Sequence, residues 1–402
     1  MNARTWARRN LFRSVPDGVC TIVFGALGLF LLYKTLNYVF FTGRWTIIQD
    51  NLKLLMVGRF PVAHLPRLAV SAIVLAGWAG FLAGFVRGRQ IRDGKAPAHV
   101  SLARRVRAAL GRIWLPCTVI LLLLLLSTTI GPWLTALGAA AAALAGWLIG
   151  PLVGKRRLGR AGATILVLAV AATPLVLYFY IVTAVGFDGW GGFYLNLYLA
   201  LVSIVLCYPL GVLLALGRRS KLPLIQTISI VYIEAIRGAP LFVLLLLANT
   251  ALQFFVPADV APSKPARAIV VFTLFTAAYM AEIIRGGLQS VPRGQFEAAR
   301  ALGLSPTRQT GLIILPQALR NVIPAQIGQL ISLFKDTVLA GVAMGLFELL
   351  EVADAITQQG DFRGQRLSPE VLAFSGLLFW TVAYTMSRES QRLERRLGVG
   401  TR

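Results

Sequence analysis

Residues Tyr194–Leu216 read YLNLYLALVSIVLCYPLGVLLAL, a run without a single charge, and Gly217-Arg218-Arg219-Ser220-Lys221 follows at once. An apolar run of about 20 residues is long enough to cross the hydrocarbon layer as a helix. Basic residues that close such a run mark the end held on the cytoplasmic side. Working outward, comparable runs fall at about 19–41, 68–86, 113–131, 134–153, 162–185, 222–256, 267–285, 321–347 and 370–387, making ten candidate spans. Composition agrees with them. Of 402 residues, 57% are hydrophobic and 14% charged, with mean hydropathy +0.71, whereas a soluble domain carries about 25% charged residues. The chain reads as an all-α polytopic membrane protein. That reading excludes a string of soluble domains, a disordered chain, a secreted disulfide scaffold and a soluble nucleic-acid binder.

Two runs need interpretation. The 222–256 run is too long for one helix, so Leu222–Ile233 is taken as a lead-in, interrupted at Arg237-Gly238-Ala239-Pro240 before the span proper. The pair 113–153 depends on Gly131-Pro132 acting as a tight turn; without it, eight spans remain. Loop charge then orients the chain. Starting inside, loops 1–18, 87–112, 154–161, 217–221, 286–320 (with Arg285) and the tail from Ser387 hold 29 Lys/Arg against five acids. The intervening loops hold eight of each sign and the spans three of each, so the whole net charge of +24 falls on one side. Both termini are expected in the cytoplasm. The basic start at Arg4, Arg8, Arg9 and Arg13 leads into a run too long for a signal-peptide core. Loop 87–112, with Lys95 among its eight basic residues, reads as a topogenic anchor rather than a nucleic-acid site.

Familiar catalytic patterns are missing. Cys20, Cys117 and Cys207 lie in apolar runs and suit packing better than disulfides. His64 and His99 have no metal-ligating neighbour at helical spacing. The nearest approach to a phosphate loop, Gly150-Pro-Leu-Val-Gly154-Lys155-Arg156, has the wrong spacing and an arginine where a hydroxyl is needed. No cofactor or metal is expected on this chain, and no enzymatic activity of its own. Gly80, Gly84 and Gly88, and Gly146, Gly150 and Gly154, recur at four-residue spacing, which lets helices approach closely in lipid. Lys34, near the end of its run, is expected to snorkel.

The basic loop after residue 285 is different in kind. Glu297-Ala298-Ala299 opens a short helix with a small-sided surface, Gly303 is placed to end it in the left-handed conformation, and Ser305-Pro306 can start a second helix. A helix–turn–helix knob of this kind fits the groove of another protein; an ordinary amphipathic loop is the plainer alternative. The spacing Glu297-Ala298-Ala299, three residues, Gly303, nine residues, Ile313-x-Leu315-Pro316 resembles the signature of permease subunits of ABC importers. Further stretches are similar to polar-amino-acid permeases of the histidine/glutamine type. They are Arg237-Gly238-Ala239-Pro240, Ala278-Tyr279, Ala281-Glu282, Arg285-Gly286-Gly287, Gln289–Gln295 and Lys335-Asp336-Thr337.

The resemblance covers about 190–395. It implies a five-helix type I importer permease core over 190–402, with a coupling loop at 286–320, and an amino-terminal extension of about five spans over 1–189. The extension is similar to the larger permease of general L-amino-acid importers. The resemblance further implies a bacterial inner-membrane location and half of a path for polar L-amino acids. The implied partners are a homologous second permease, two ATPase subunits that use ATP and magnesium, a periplasmic amino-acid-binding protein, and lipid. One position departs from the pattern: in Gly191–Leu197, Asn196 stands where a hydroxyl is expected.

Charges inside spans are costly and mark functional candidates. Glu282 and Arg285, and Glu234 and Arg237, share a helical face at i,i+3, while Lys335 and Asp336 point about 100° apart. With Tyr279 and Thr337 they are expected either to pair between helices or to line a substrate path. An ion-coupled secondary transporter and a membrane scaffold remain the rival functional classes.

Overall fold

A peptide group inside hydrocarbon has no water to bond, so a run of this length satisfies its backbone as a helix. The computed structural model describes residues 3–94, 97, 101–257 and 260–398; Lys95 and His99 of the preceding section lie outside them. Each of the ten apolar runs is built on helix, and among the described residues the one extended pairing is an isolated bridge between Gly192 and Glu348. The chain divides into two compact units, Met1–Ile47 and Ile48–Arg402.

In the first unit, α1 (Ala3–Asn10) precedes α2 (Val15–Asn37). Ser14 caps α2 by accepting the Asp17 backbone N–H at 3.3 Å, with Pro16 and Asp17 in the first turn. Pro is pre-set for that turn, and the acid faces the positive end of the helix dipole. The far end widens into a π-turn at Tyr38–Thr42, where the Trp45 indole N–H donates to Val39 O at 2.9 Å. Lys34 lies in the last turn of α2, its ammonium 5.7 Å from the Phe30 ring.

Helix α3 (Thr46–Asp50) covers the boundary between the units, and the second continues with α4 (Leu52–Val57), α5 (Leu65–Arg92), α6 (Leu102–Leu126), α7 (Gly131–Lys155) and α8 (Arg160–Val182). The two glycine series meet. A Cβ built on Gly80 would lie 2.0 Å from Ala143 O, on Gly84 2.8 Å from Trp147 O, and on Gly150 2.3 Å from Phe81 O. So α5 and α7 pack backbone against backbone, as small-residue spacing in lipid permits. Helix α6 kinks at Ile113 (φ −111°, ψ 19°), three residues before Pro116, whose ring and missing N–H disturb the preceding turn. Gly131-Pro132 does not form the link itself. Ser127–Ile130 does, and Pro132 takes the first turn of α7, where its absent N–H is harmless.

The remaining helices are α9 (Gly192–Arg218), α10 (Pro223–Gly238), α11 (Leu241–Thr250), α12 (Lys264–Gln289), α13 (Arg293–Ala301), α14 (Pro306–Gln309), α15 (Leu315–Asn321), α16 (Ile323–Asp336), α17 (Leu339–Met344), α18 (Leu349–Thr357) and α19 (Ser368–Leu397). Their main apolar cluster joins Leu195 and Leu199 of α9, Leu245 of α11, Phe272 of α12 and Met344 of α17. Phe60, from the segment after α4, is fully buried among them.

Six stretches are long and apolar enough to cross a membrane singly: Val15–Thr42, Val62–Arg92, Gly131–Lys155, Gly192–Arg218, Lys264–Gln289 and Ser368–Arg395. Helices α10 and α11 meet that measure only together, as a broken span or a re-entrant loop, bent by 99° at the break anticipated around Ala239-Pro240. Three of the ten expected runs are outside this set. Helix α6 ends at Leu126, before the end of its run, which leaves Ile113–Leu126, and α8 is a helix of 23 residues whose apolar stretch among the described residues is Ala161–Val170. In 321–347 the ladder tightens after α16 to i→i−3 bonds: Val338 to Lys335, Ala340 to Thr337 and Gly341 to Val338. Neither α16 nor α17 is long enough alone.

The glycine seam sets a stability expectation. Gly84→Val should lower the unfolding free energy of the detergent-purified chain by about 1–3 kcal/mol, the usual cost of overpacking, in a denaturant titration. Gly25→Val, whose Cβ meets nothing within 4 Å, should leave it unchanged.

Candidate functional site

Five of the charges gather at the Arg218 end of α9. Glu282 of α12 is the centre: the Arg218 guanidinium reaches its Oε1 at 2.8 Å and that of Arg285 its Oε2 at 2.8 Å. Arg218 also bonds Glu234 of α10 at 2.8 Å. Arg237 stands off, 4.0 Å from Glu234 and 3.9 Å from Glu282, with its guanidinium 5.5 Å from the centre of the Tyr279 ring. Three cations face two anions, so the cluster keeps one positive charge. The i,i+3 pairing expected of Glu282 and Arg285 is formed; that of Glu234 and Arg237 is at its outer limit. The pairs on Glu234, which is more than half exposed, contribute roughly 0.2–1 kcal/mol each, whereas Glu282, only 16% exposed, is the better-shielded anchor.

The basic loop forms the knob its sequence suggests. Helix α13 ends in a Schellman turn: the Gly303 N–H donates to Arg300 O at 2.8 Å, the Leu304 N–H to Ala299 O at 3.2 Å, and Gly303 has φ +71°. Ser305 takes the cap position of α14 through its backbone carbonyl, which accepts the Gln309 N–H at 2.8 Å, and Pro306 opens the helix. The buried Gln309 amide donates to Phe296 O at 3.0 Å, tying the second helix to the first. A wide π-turn at Thr310–Ile314 follows, just before Pro316.

The motif residues divide by environment. Glu297, Ala298 and Pro316 are exposed, Ile313 and Leu315 are half-buried against the bundle, and Ala299 is 1% exposed. Ala299 therefore does not belong to the outward small-sided surface expected of it. Its side chain is buried, and its carbonyl takes part in the turn that ends α13. The outward surface is Glu297, Ala298, Ala301 and Leu302, the last 76% exposed.

Lys335 and Asp336 sit at the end of α16. Lys335 is exposed and Asp336 half-buried, and among the described residues neither forms an ion pair. Pairing of these two charges between helices is thus not seen among the described residues. Thr337, fully buried, donates to Phe334 O at 2.7 Å and accepts the Asn196 amide at 3.1 Å. Asn196 uses every polar atom it has. The same amide donates to the Glu348 carboxylate at 3.0 Å, and its carbonyl accepts the Leu349 N–H at 3.0 Å. Glu348, itself fully buried, caps α18 by accepting the N–H groups of Leu350 and Glu351, each at 3.0 Å. A hydroxyl at 196 has too few polar atoms to make all these bonds.

Residues 207–397 match the family described as the binding-protein-dependent transport system inner membrane component. The chain is 37% identical over 205 residues to a probable glutamine ABC transporter permease protein of Bacillus subtilis, covering 51% of this chain and 91% of that one. The chain belongs to this permease family. It is also 43% identical over 211 residues to the inner membrane amino-acid ABC transporter permease protein YhdY of Escherichia coli, covering 52% of this chain and 57% of the relative. The glutamate/glutamine/aspartate/asparagine transport system permease protein BztC of Rhodobacter capsulatus is 42% identical over 228 residues, covering 56% and 51%. The chain thus spans about half the length of these two relatives. A solved amino acid ABC transporter with histidines matches with TM-score 0.46 at 29% identity, covering 57% of this chain and 97% of that one.

Within this permease, sequence reasoning brought Glu234, Arg237, Tyr279, Glu282 and Arg285 to one place and missed two members of the site. Arg218 was read as a topogenic loop charge, and only the return of α10 and α12 makes it the bridge. Glu348 was read as an outer-loop acid. The available signal was its position just after the left-handed Gly345 and just before an apolar helix, which is where a capping acid belongs.

Glu282 and Glu234 should not be equivalent. Glu282→Gln should destabilise the purified permease by about 1.5–3 kcal/mol, the range for a hydrogen bond to a charged group, read as a fall in thermal midpoint. Glu234→Gln, more than half exposed, should cost under about 1 kcal/mol. Equal losses would contradict a cluster built around Glu282.

Proposed function

We propose that this chain is a permease subunit of an ATP-driven ABC importer, forming half of the translocation path for polar L-amino acids delivered by a periplasmic binding protein. It lies in a bacterial inner membrane with both termini cytoplasmic. Residues 190–402 are its type I permease core and 1–189 an extension. A homologous second permease supplies the other half of the path, and two separate ATPase subunits bind ATP and magnesium.

The observation that carries this reading is the exposed Glu297–Leu302 surface, held on a left-handed turn and tied to its own base. Such a surface suits the cleft of an ATPase. It is small where the cleft must close, offers Leu302 as an apolar anchor, and is stiff enough to pass on a displacement. Phe296, Ile313 and Leu315 connect it to the bundle, so motion of the ATPases reaches the spans. Nucleotide shifts the equilibrium only by binding more tightly to one arrangement than the other.

The face that α16 turns outward supports the partner permease. Its exposed positions are Ala325, Gly328, Ser332 and Lys335, spaced three, four and three, whereas α9 exposes Leu201, Val205 and Leu213. The α9 face suits lipid; the α16 face suits a second subunit and the path between them. Along that path, the loosely held Arg237 with Tyr279 offers a carboxylate a cation and a ring. The relatives whose names specify glutamine or glutamate support the same substrate class. An ion-coupled transporter would leave the knob without a role.

Gly303→Val places a branched side chain at φ +71°, a strain of about 1–3 kcal/mol, and Leu302→Asp replaces the anchor with a charge. Both should leave membrane insertion intact and reduce co-purified ATPase, receptor-stimulated hydrolysis and uptake together, roughly tenfold for the loss of about 1.4 kcal/mol of binding. Wild-type uptake and hydrolysis in both variants, or uptake into vesicles lacking ATP, would refute the reading. Reporter fusions after Gly43 and Gly186 should lie outside the cytoplasm and one after Arg300 within it. A cytoplasmic signal at Gly186 would invert the topology.

A further inference from the structure

The extension does more at its join with the core than lie beside it. Between α4 and α5 the chain crosses the outer end of α9. A Cβ on Gly58 (φ +62°) would fall 2.4 Å from the Gly191 Cα, and one on Gly192 (φ +56°) 2.4 Å from Leu55 O and 2.8 Å from Leu54 O. Here backbone touches backbone. Gly192 in turn donates its N–H to Phe347 O at 2.9 Å, and a Cβ on Gly191 would lie 2.6 Å from the same oxygen. Three separate stretches of chain, from the extension, α9 and the lead into α18, therefore meet at one point.

Side chains fasten the same crossing. Phe60 and Leu55 are fully buried, the Arg59 guanidinium lies 4.5 Å from the Phe347 ring centre, and the Gln359 amide donates to Asn51 at 3.2 Å. One helical turn along α9 from this crossing is Asn196, whose bonds reach Glu348 and Thr337. Thr337 stands where the ladder tightens to i→i−3 bonds, beside Lys335 and Asp336. This is a tight turn between α16 and α17, and 3₁₀-type bonding at such a break is a place for a hinge.

We propose that residues 48–64 are a strap that positions this joint, holding the start of α9 and the start of α18 as one block against which the Thr337 hinge works. The extension is then part of the coupling device of the permease and not an added anchor. The inference rests on the importer reading above. The strap's seam has no room for a side chain, so the block cannot slip. The hinge meets that block at two points, through the Asn196 amide on Thr337 and through Gly341, whose Cβ would lie 2.5 Å from Glu348 Oε1, so the position of the block is passed to the hinge.

The test uses the complete transporter with its receptor, reconstituted in lipid, and reads the ratio of receptor-stimulated to basal ATP hydrolysis per complex. A merely structural role would lower the yield of complex and leave that ratio alone. Gly58→Val should lower the ratio roughly threefold, the scale of a mutation within a coupling network. Arg59→Ala, a surface change, should lower it in the same direction by roughly twofold. With Cys20, Cys117 and Cys207 replaced by serine, Asn51→Cys and Gln359→Cys tied by a short reducible cross-linker should keep uptake within roughly twofold of the reduced state, because the block does not open there. An unchanged ratio in both seam variants, or loss of uptake on tying that reduction restores, would overturn the strap. If the wild-type complex shows no ATP-dependent uptake at all, the importer reading fails, and the strap's proposed role fails with it.

Discussion

Within a membrane, every peptide N–H and C=O must find a partner inside the protein. The rest of this structure follows from that constraint. It makes each apolar run a helix and decides where a helix can be interrupted. The interruption at Ala239-Pro240 sits beside the Arg237–Tyr279 contact of the charged cluster. At the tightened stretch Thr337–Gly341, the Asn196 amide of α9 donates both to the Thr337 hydroxyl and to Glu348 at the start of α18. Irregular backbone occurs where polar side chains are at hand, and those same places carry the candidate chemistry.

A second consequence is that charge within the bundle has to be shared. Glu282 offsets two arginines at once and leaves a third half-attached. A site balanced to within one charge is inexpensive to keep in a membrane, yet it retains a preference for anions. Glu348 shows the other solution. Among the described residues it forms no ion pair, and backbone N–H groups and one amide satisfy its oxygens instead. One carboxylate belongs to an open cluster and the other to a closed joint, and their surroundings suit those two roles.

The sequence made the long elements legible because their signals are local. Apolar length marked the spans, four-residue glycine spacing the α5–α7 seam, and Gly303 followed by Ser305-Pro306 the turn of the knob. What it hid depends on tertiary return. Ala298 and Ala299 are identical in sequence, yet one faces out and the other in, and only the orientation of α13 on its base separates them. Arg218 lies 16 residues from Glu234 and 64 from Glu282, so no local pattern could join them. Element ends are hidden in the same way: α6 stops at Leu126 and the ladder tightens at Thr337 within runs that composition alone reads as continuous. Asn196 was noticed as a departure, but its need for three partners appeared only once α16 and α18 were in place.

The exposed Leu302 has a bearing on assembly. On the proposed cytoplasmic face it is an apolar side chain left in water, and burying it would recover about 1.5–3 kcal/mol. Leu312 stands exposed on the same loop. A permease made in excess of its ATPase would carry this greasy knob uncovered, open to proteases and to other unassembled chains. The surface proposed to couple motion would also be, in an orphan subunit, the visible sign that assembly has not happened, and would tie the lifetime of the chain to the supply of the proposed partner.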